Sequence, residues 1–209
     1  MENRLKIIGL TGGSGTGKSS VMEYLVTKGM VAIDCDQLAR EVVAPNTPGL
    51  LEICEAFGSD ILQGDGSLDR KKMGNLVFRD QSLLFRLENI IHKYIDQRIA
   101  EIIAQHREVP VLADGQTCGV ILIEAIKLFE SGLNRLCDKV VVVLSSPAAR
   151  LARIAARDTL SEEDASDRIQ AQKDDDFFIS HADYVIYNNA DLSALYQQAD
   201  DIFAAILAL

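Results

Sequence analysis

Short apolar runs alternate along the chain with stretches of helical periodicity, the rhythm of a parallel sheet covered by helices. Five runs predict buried strands: Lys6 to Leu10, Met30 to Asp34, Gly119 to Glu124, Lys139 to Leu144 and Asp183 to Tyr187. The first leads through a glycine-rich turn into a helix from about Lys18 to Lys28, and Gly29 stands where a left-handed helix cap belongs. The pattern predicts an α/β core. Two regions break the alternation. Between Thr47 and Arg107 the pattern reads as helical throughout, with Leu87, Ile91, Ile95 and Ile99 among the apolar residues at helical spacing from Ser82 to His106. That predicts a helical insertion at about 47–107, between the second and third strands, covering a substrate. Ala149 to Phe177 predicts two charged helices meeting at Asp158-Thr159-Leu160-Ser161, with Ser161 and Asp164 spaced as a helix-starting cap. No repeat, low-complexity tract or Pro/Gly-rich linker divides the 209 residues, so a single domain carrying an insertion is expected.

Composition narrows the class. Hydrophobic residues at 48% and charged residues at 25% suit a globular protein, and a net charge of -10 argues against a nucleic-acid partner, which needs a broad basic surface. An acidic protein that binds phosphates must gather its cations locally. The four cysteines, Cys35, Cys54, Cys118 and Cys137, form no CxxC and have no nearby His at metal-ligand spacing, so reduced thiols are expected rather than disulfides or zinc. The apolar run Ile7 to Leu10 is too short for a signal peptide, and no stretch is long enough to span a bilayer. The expectation is a cytoplasmic protein with no membrane partner.

The chemistry-bearing motif is Gly12-x-x-x-x-Gly17-Lys18-Ser19, with an apolar strand before it and an amphipathic helix after it. Glycines let successive backbone N–H groups turn toward one anion, and the helix that starts there adds the positive end of its dipole. Residues Gly13, Ser14, Gly15, Thr16, Gly17, Lys18, Ser19 and Ser20 are the candidates for holding a nucleotide. Lys18 can reach the β- and γ-phosphates, and the Ser19 hydroxyl can take one Mg2+ position. No NKxD-like segment for guanine is present, so ATP is the expected donor.

Asp34-Cys35-Asp36 closes the second strand, at the edge where open α/β sheets bind ligands. A phosphoryl acceptor needs a carboxylate there, but an aspartate before Gln37-Leu38-Ala39-Arg40 is equally good capping chemistry. Arg40, one turn on, can pair with a substrate phosphate or with Asp36. Arg150, Arg153 and Arg157 share one helix face, and the reading favours Arg153 and Arg157 as cations that close over ATP, making 150–177 a helical lid. Glu124, at the end of the third run, can hold magnesium through water. Asp174-Asp175-Asp176 reads as a solvated turn.

These segments together resemble the dephospho-coenzyme A kinase family. The resemblance is carried by Ile8 to Ser19, Ile33-Asp-Cys-Asp-Gln-Leu-Ala-Arg40, Asp65-Gly-Ser-Leu-Asp-Arg70, Leu128-Phe-Glu-Ser-Gly-Leu133, Arg157-Asp158, Gln172 and Ala182 to Asn188. It implies a P-loop NTPase-type three-layer fold with a five-stranded parallel sheet, a helical substrate-binding insertion and a helical lid. It further implies transfer of the ATP γ-phosphate to the ribose 3′-hydroxyl of dephospho-coenzyme A. In that reading Asp36 is the general base, Lys18 and Arg157 are catalytic, Arg153 contacts ATP, and Arg40 and Glu130 contact the acceptor. Where the family carries His-Pro this chain reads His92-Lys93. Another P-loop nucleoside or nucleotide kinase, and a nucleotide-binding paralogue without activity, stand as alternatives.

Overall fold

The computed structural model describes residues 5–78, 80–107 and 119–208; Cys118 lies outside them. In chain order the elements are β1 (Lys6–Thr11), α1 (Lys18–Thr27), β2 (Val31–Asp34), α2 (Cys35–Glu41), α3 (Pro48–Phe57), α4 (Arg70–Val77) and α5 (Gln81–Arg107). They continue as β3 (Val120–Glu124), β4 (Lys139–Leu144), α6 (Pro147–Asp158), α7 (Glu162–Gln170), α8 (Asp175–His181), β5 (Tyr184–Tyr187) and α9 (Leu192–Ala208). The chain divides into two compact units, Met1–Ile33 with Pro110–Leu209, and Asp34–Val109.

The first unit holds a five-stranded sheet in the order β2-β3-β1-β4-β5. β1 pairs in parallel with β3 (Lys6 opposite Val120) and with β4 (Gly9 opposite Val140), and β4 pairs in parallel with β5. All five residues of β3 are buried, as are all but the first of β4. Central parallel strands are covered on both faces, so they read as unbroken apolar runs rather than alternating ones. Chain order reverses around β1, whose neighbours are β3 and β4. That leaves a crevice at its carboxyl end, where the glycine-rich turn begins.

On one face Ile8 and Leu10 pack with Val21 and Leu25 of α1 and with Leu195 and Phe203 of α9. Tyr24 stacks flat on Tyr196 at 4.1 Å between ring centroids, and its hydroxyl donates to Asp200 at 2.6 Å, tying the two helices together. A Cβ on Gly9 would lie 2.7 Å from Leu128 Cδ2 and 3.0 Å from Cys137 Sγ, so only glycine leaves room for those side chains. Cys137 donates weakly to the Leu133 carbonyl at 3.5 Å, and burial pushes its thiol up from 9.0 to about 12. At about pH 8 it is therefore protonated, and it should resist iodoacetamide in the native protein while reacting once unfolded. Because the folded value is raised, stability should fall as pH climbs from 9.0 toward about 12. Native labelling of Cys137 as fast as in denaturant, read by peptide mass spectrometry, would contradict this.

The second unit is built on the 27-residue α5, which buries Leu87, Ile90, Ile95, Ile99 and Ile103. Leu50, Ile53, Ile61 and Met73 share a core with the start of that helix. α5 runs unbroken through His92-Lys93, and Lys93 pairs with Glu52 of α3 at 2.6 Å, beside the Tyr94 hydroxyl, which donates to the same carboxylate at 2.7 Å. One expectation fails here: the segment after α3 is not helical throughout. A 3₁₀ turn at Ser59–Ile61 leads into a small hairpin in which Leu62 bridges Leu68. Asp65 makes the turn by accepting both the backbone N–H and the hydroxyl of Ser67, a local bond that competes with helix. No helix among the described residues is long and apolar enough to cross a membrane.

Candidate functional site

The turn after β1 depends on glycine at two places. Gly12 has φ +139°, and a Cβ there would run into the Val143 carbonyl of β4. Gly17 is the left-handed N-cap of α1, with the Asn188 side-chain amide where a Cβ would stand. No side chain caps α1, whereas Asp34, Thr47, Asp69, Ser146, Ser161 and Asp174 cap α2, α3, α4, α6, α7 and α8. The first amides of α1 are left for a ligand, at the positive end of the helix dipole.

Three side chains hold the carbonyls of this loop from behind. Arg150 Nε donates to the Ser14 carbonyl at 3.0 Å, Arg153 Nη1 to Gly15 at 3.0 Å and Thr16 at 3.5 Å, and Asn188 Nδ2 to Thr16 at 2.9 Å. In a planar trans peptide the carbonyl and the following N–H point in opposite directions. Fixing these three carbonyls turns the following N–H groups away from the arginines; that of Thr16 is taken by the Gly13 carbonyl at 3.4 Å, which leaves those of Gly15 and Gly17, with the first amides of α1, as the candidate anion-binding nest. Arg153 is further anchored by Ser145 Oγ at 3.0 Å. Burial draws the Arg150 guanidinium below its ordinary pKa, and nearby Asp175 works against that.

Lys18, 7% exposed, donates to the carbonyls of Gly12 at 3.0 Å and Gly13 at 3.3 Å, and its Nζ lies 3.5 Å from Glu124 Oε1. Glu124 is 6% exposed, so the expected strand-end carboxylate sits beside the loop lysine. Ser19 is exposed on the first turn of α1, and Ser20 is half-buried. Among the described residues no group of three or more His, Cys, Asp or Glu could hold a metal by itself. One hydroxyl and one carboxylate suit Mg2+, which takes few protein ligands and fills its octahedron with phosphate oxygens and water.

The arginine face is divided differently from the expectation. Arg150, ranked below its neighbours from the sequence, is 5% exposed and touches the loop, as does Arg153. Arg157 is exposed, and its Nε and Nη2 both donate to the Asp158 carboxylate at 2.8 Å. Arg168 of α7 donates to the same carboxylate at 2.6 Å. The Arg157 hydrogen bond first, and then the charges of Arg157 and Arg168, hold the Asp158 carboxyl below its usual range. Between α6 and α7 stands Thr159, a β-branched residue in the left-handed region at φ +53°. The acidic run that reads as a solvated turn is exposed at Asp174 and Asp176 and also opens α8: Asp174 caps that helix by accepting from Phe177 N–H at 2.8 Å, and Asp175 lies 3.5 Å from Arg150. Its spacing before Phe177 was the available signal.

In the loop after β3, Glu130 is exposed, and its neighbour Phe129 packs edge-on against Phe177 at 5.7 Å and beside His181 at 5.2 Å. In the second unit the two aspartates separate by role. Asp34 accepts from Gln37 N–H at 3.0 Å and is the cap, which frees Asp36, exposed in the first turn of α2 with Arg40 one turn on. The sequence reading gave no role to Asn188 or Gln172; both are polar residues whose side chains bond the phosphate loop.

A family model described as dephospho-CoA kinase matches residues 6–194. The dephospho-CoA kinase of Streptomyces avermitilis is 42% identical over 96% of this chain and 93% of its own length. A solved dephospho-CoA kinase from Campylobacter jejuni superposes with a TM-score of 0.68 at 26% identity, covering 99% of this chain and 98% of its own. A shikimate kinase from Acinetobacter baumannii shares the fold alone, at TM-score 0.53 and 18% identity over 98% of this chain and 94% of its own. Glycine nest, buried lysine and nearly full-length likeness agree: the chain belongs to the dephospho-CoA kinase family.

Proposed function

We propose that this chain transfers the γ-phosphate of ATP to the ribose 3′-hydroxyl of dephospho-coenzyme A, giving coenzyme A and ADP, the final step of coenzyme A synthesis. The observation that carries the reading is the glycine-rich loop whose carbonyls are held by Arg150, Arg153 and Asn188 and which leads into α1, a helix with no side-chain cap on its first amides. Such a surface takes a polyphosphate. Lys18 sets its charge against the β- and γ-phosphate oxygens as the γ-phosphoryl group moves. Asp36 accepts the proton of the acceptor hydroxyl as that oxygen bonds to the γ-phosphorus, and the bond from the γ-phosphorus to the bridging oxygen breaks with its electron pair leaving on ADP. Arg157 neutralises charge on the transferred group once it exchanges Asp158 for phosphate, and α6 and α7 act as the lid; Arg40 and Glu130 hold the acceptor. Ser19 directly and Glu124 through water would hold Mg2+, which would supply further charge neutralisation on the phosphate oxygens. The net charge of -10 agrees with small-molecule substrates rather than nucleic acid, and a cytoplasmic setting suits the free thiols of Cys35, Cys54 and Cys137.

The test is to incubate the protein with Mg2+, ATP and dephospho-coenzyme A and to follow the acceptor by mass spectrometry. Gain of one phosphate is the expected result. ATP binding with no product would transfer the reading to another acceptor or to an inactive paralogue.

A further inference from the structure

Gln172 lies between α7 and α8, far from the phosphate loop in sequence, yet its amide closes on one loop residue. Its Oε1 accepts from the Ser14 backbone N–H at 2.8 Å and from Arg150 Nη2 at 3.2 Å, while its Nε2 donates to Ser14 Oγ at 2.7 Å. The orientation of the amide follows from its partners, because both groups facing Oε1 are pure donors. With Arg150 Nε on the Ser14 carbonyl at 3.0 Å, the N–H, C=O and hydroxyl of Ser14 are all engaged by two side chains from outside the loop. Ser14 is 2% exposed, so water offers little substitute for these bonds. Ser14 also directly precedes Gly15, the first residue of the amide nest. A rotation of the backbone at Ser14 would swing the nest out of alignment.

We propose that Gln172 is a positioning residue for nucleotide binding: it clasps Ser14 so that the loop amides are aligned before the polyphosphate arrives. The inference rests on the loop being the nucleotide site proposed above. A pre-aligned nest binds without the cost of ordering the loop, so losing the clasp weakens ATP binding while leaving the chemistry of the bound complex and the acceptor site alone.

The experiment measures the ATP dissociation constant by calorimetry without acceptor, together with kcat and both KM values, for Gln172→Ala, Ser14→Ala and the double variant. Gln172→Ala should raise the dissociation constant and KM for ATP roughly tenfold, with kcat and the KM for dephospho-coenzyme A held within about twofold. Ser14→Ala should cost less and add nothing on top of Gln172→Ala, since the hydroxyl has then already lost its partner. Gln172→Met, which keeps the length without the amide, should match Gln172→Ala and carries the measurement if alanine destabilises the fold. Unchanged ATP affinity in the Gln172 variants, a parallel rise in both KM values, or additive effects in the double variant would each overturn the clasp. Lys18→Ala serves as the control. If it too leaves ATP affinity intact, the nucleotide reading itself fails; if it alone loses ATP, only the clasp fails.

Discussion

Lys18→Ala is expected to lower kcat/KM by at least roughly a thousandfold, because on the proposed reading it takes the loop's own side-chain cation away from the transferring phosphates. A second effect follows from the position of Lys18. Its Nζ is 3.5 Å from Glu124, and both side chains are more than nine-tenths buried. Taking away the lysine leaves a buried carboxylate without the cation beside it, and breaking a buried pair on one side costs about 3–5 kcal/mol. The variant should therefore melt earlier than the parent in the absence of nucleotide. Adding Glu124→Gln should recover much of the melting temperature without recovering turnover, which separates stability from chemistry. Parental kinetics in Lys18→Ala would remove the loop from the reaction.

Asp36→Asn should cut turnover by at least about a hundredfold while leaving ATP affinity nearly unchanged, as the loss of a general base does. The capping arrangement makes this a clean measurement. Asp34 takes the Gln37 amide, so Asp36 can be altered without uncapping α2 and the melting temperature should hold. Asp34→Ala is the complementary variant, expected to lose about 1 kcal/mol of stability through the cap. Turnover in Asp36→Asn equal to that of the parent would take this residue out of the mechanism.

The strands and the phosphate loop were legible in the sequence because each rests on a local rule. Val140 to Leu144 is apolar without a break because both faces of a central strand are covered, and Gly12 to Ser19 carries its own turn chemistry. The hairpin at Leu62 and Leu68 escaped although Asp65-Gly66 is itself a turn signal, with Gly66 at φ +80°, because the helical periodicity on either side was carried through it. Spacing placed Asp34 and Asp36 in the right place without dividing their labour, since either carboxylate can reach an amide three residues on. The arginines show the limit most plainly. Arg150, Arg153 and Arg157 share a face, but seven residues of helix advance about 10 Å: Arg150 and Arg153, nearest the start of α6, bond the loop, while Arg157 bonds Asp158. Angular position is written in the sequence, whereas distance along the axis to a partner is not. Gln172 and Asn188 carry no local pattern at all; their roles exist only once distant segments are brought together.

Gly13 has a φ open to any residue, yet a Cβ there would press into the Arg150 guanidinium, 2.8 Å from Cζ, and 3.0 Å from Gln172 Oε1. Its glycine answers to a neighbour's bulk and not to the backbone. Positions 13, 150 and 172 thus behave as one heritable unit: a lineage can accept a methyl at 13 only after the side chains at 150 and 172 have made way. The order in which such changes can accumulate is constrained by this contact.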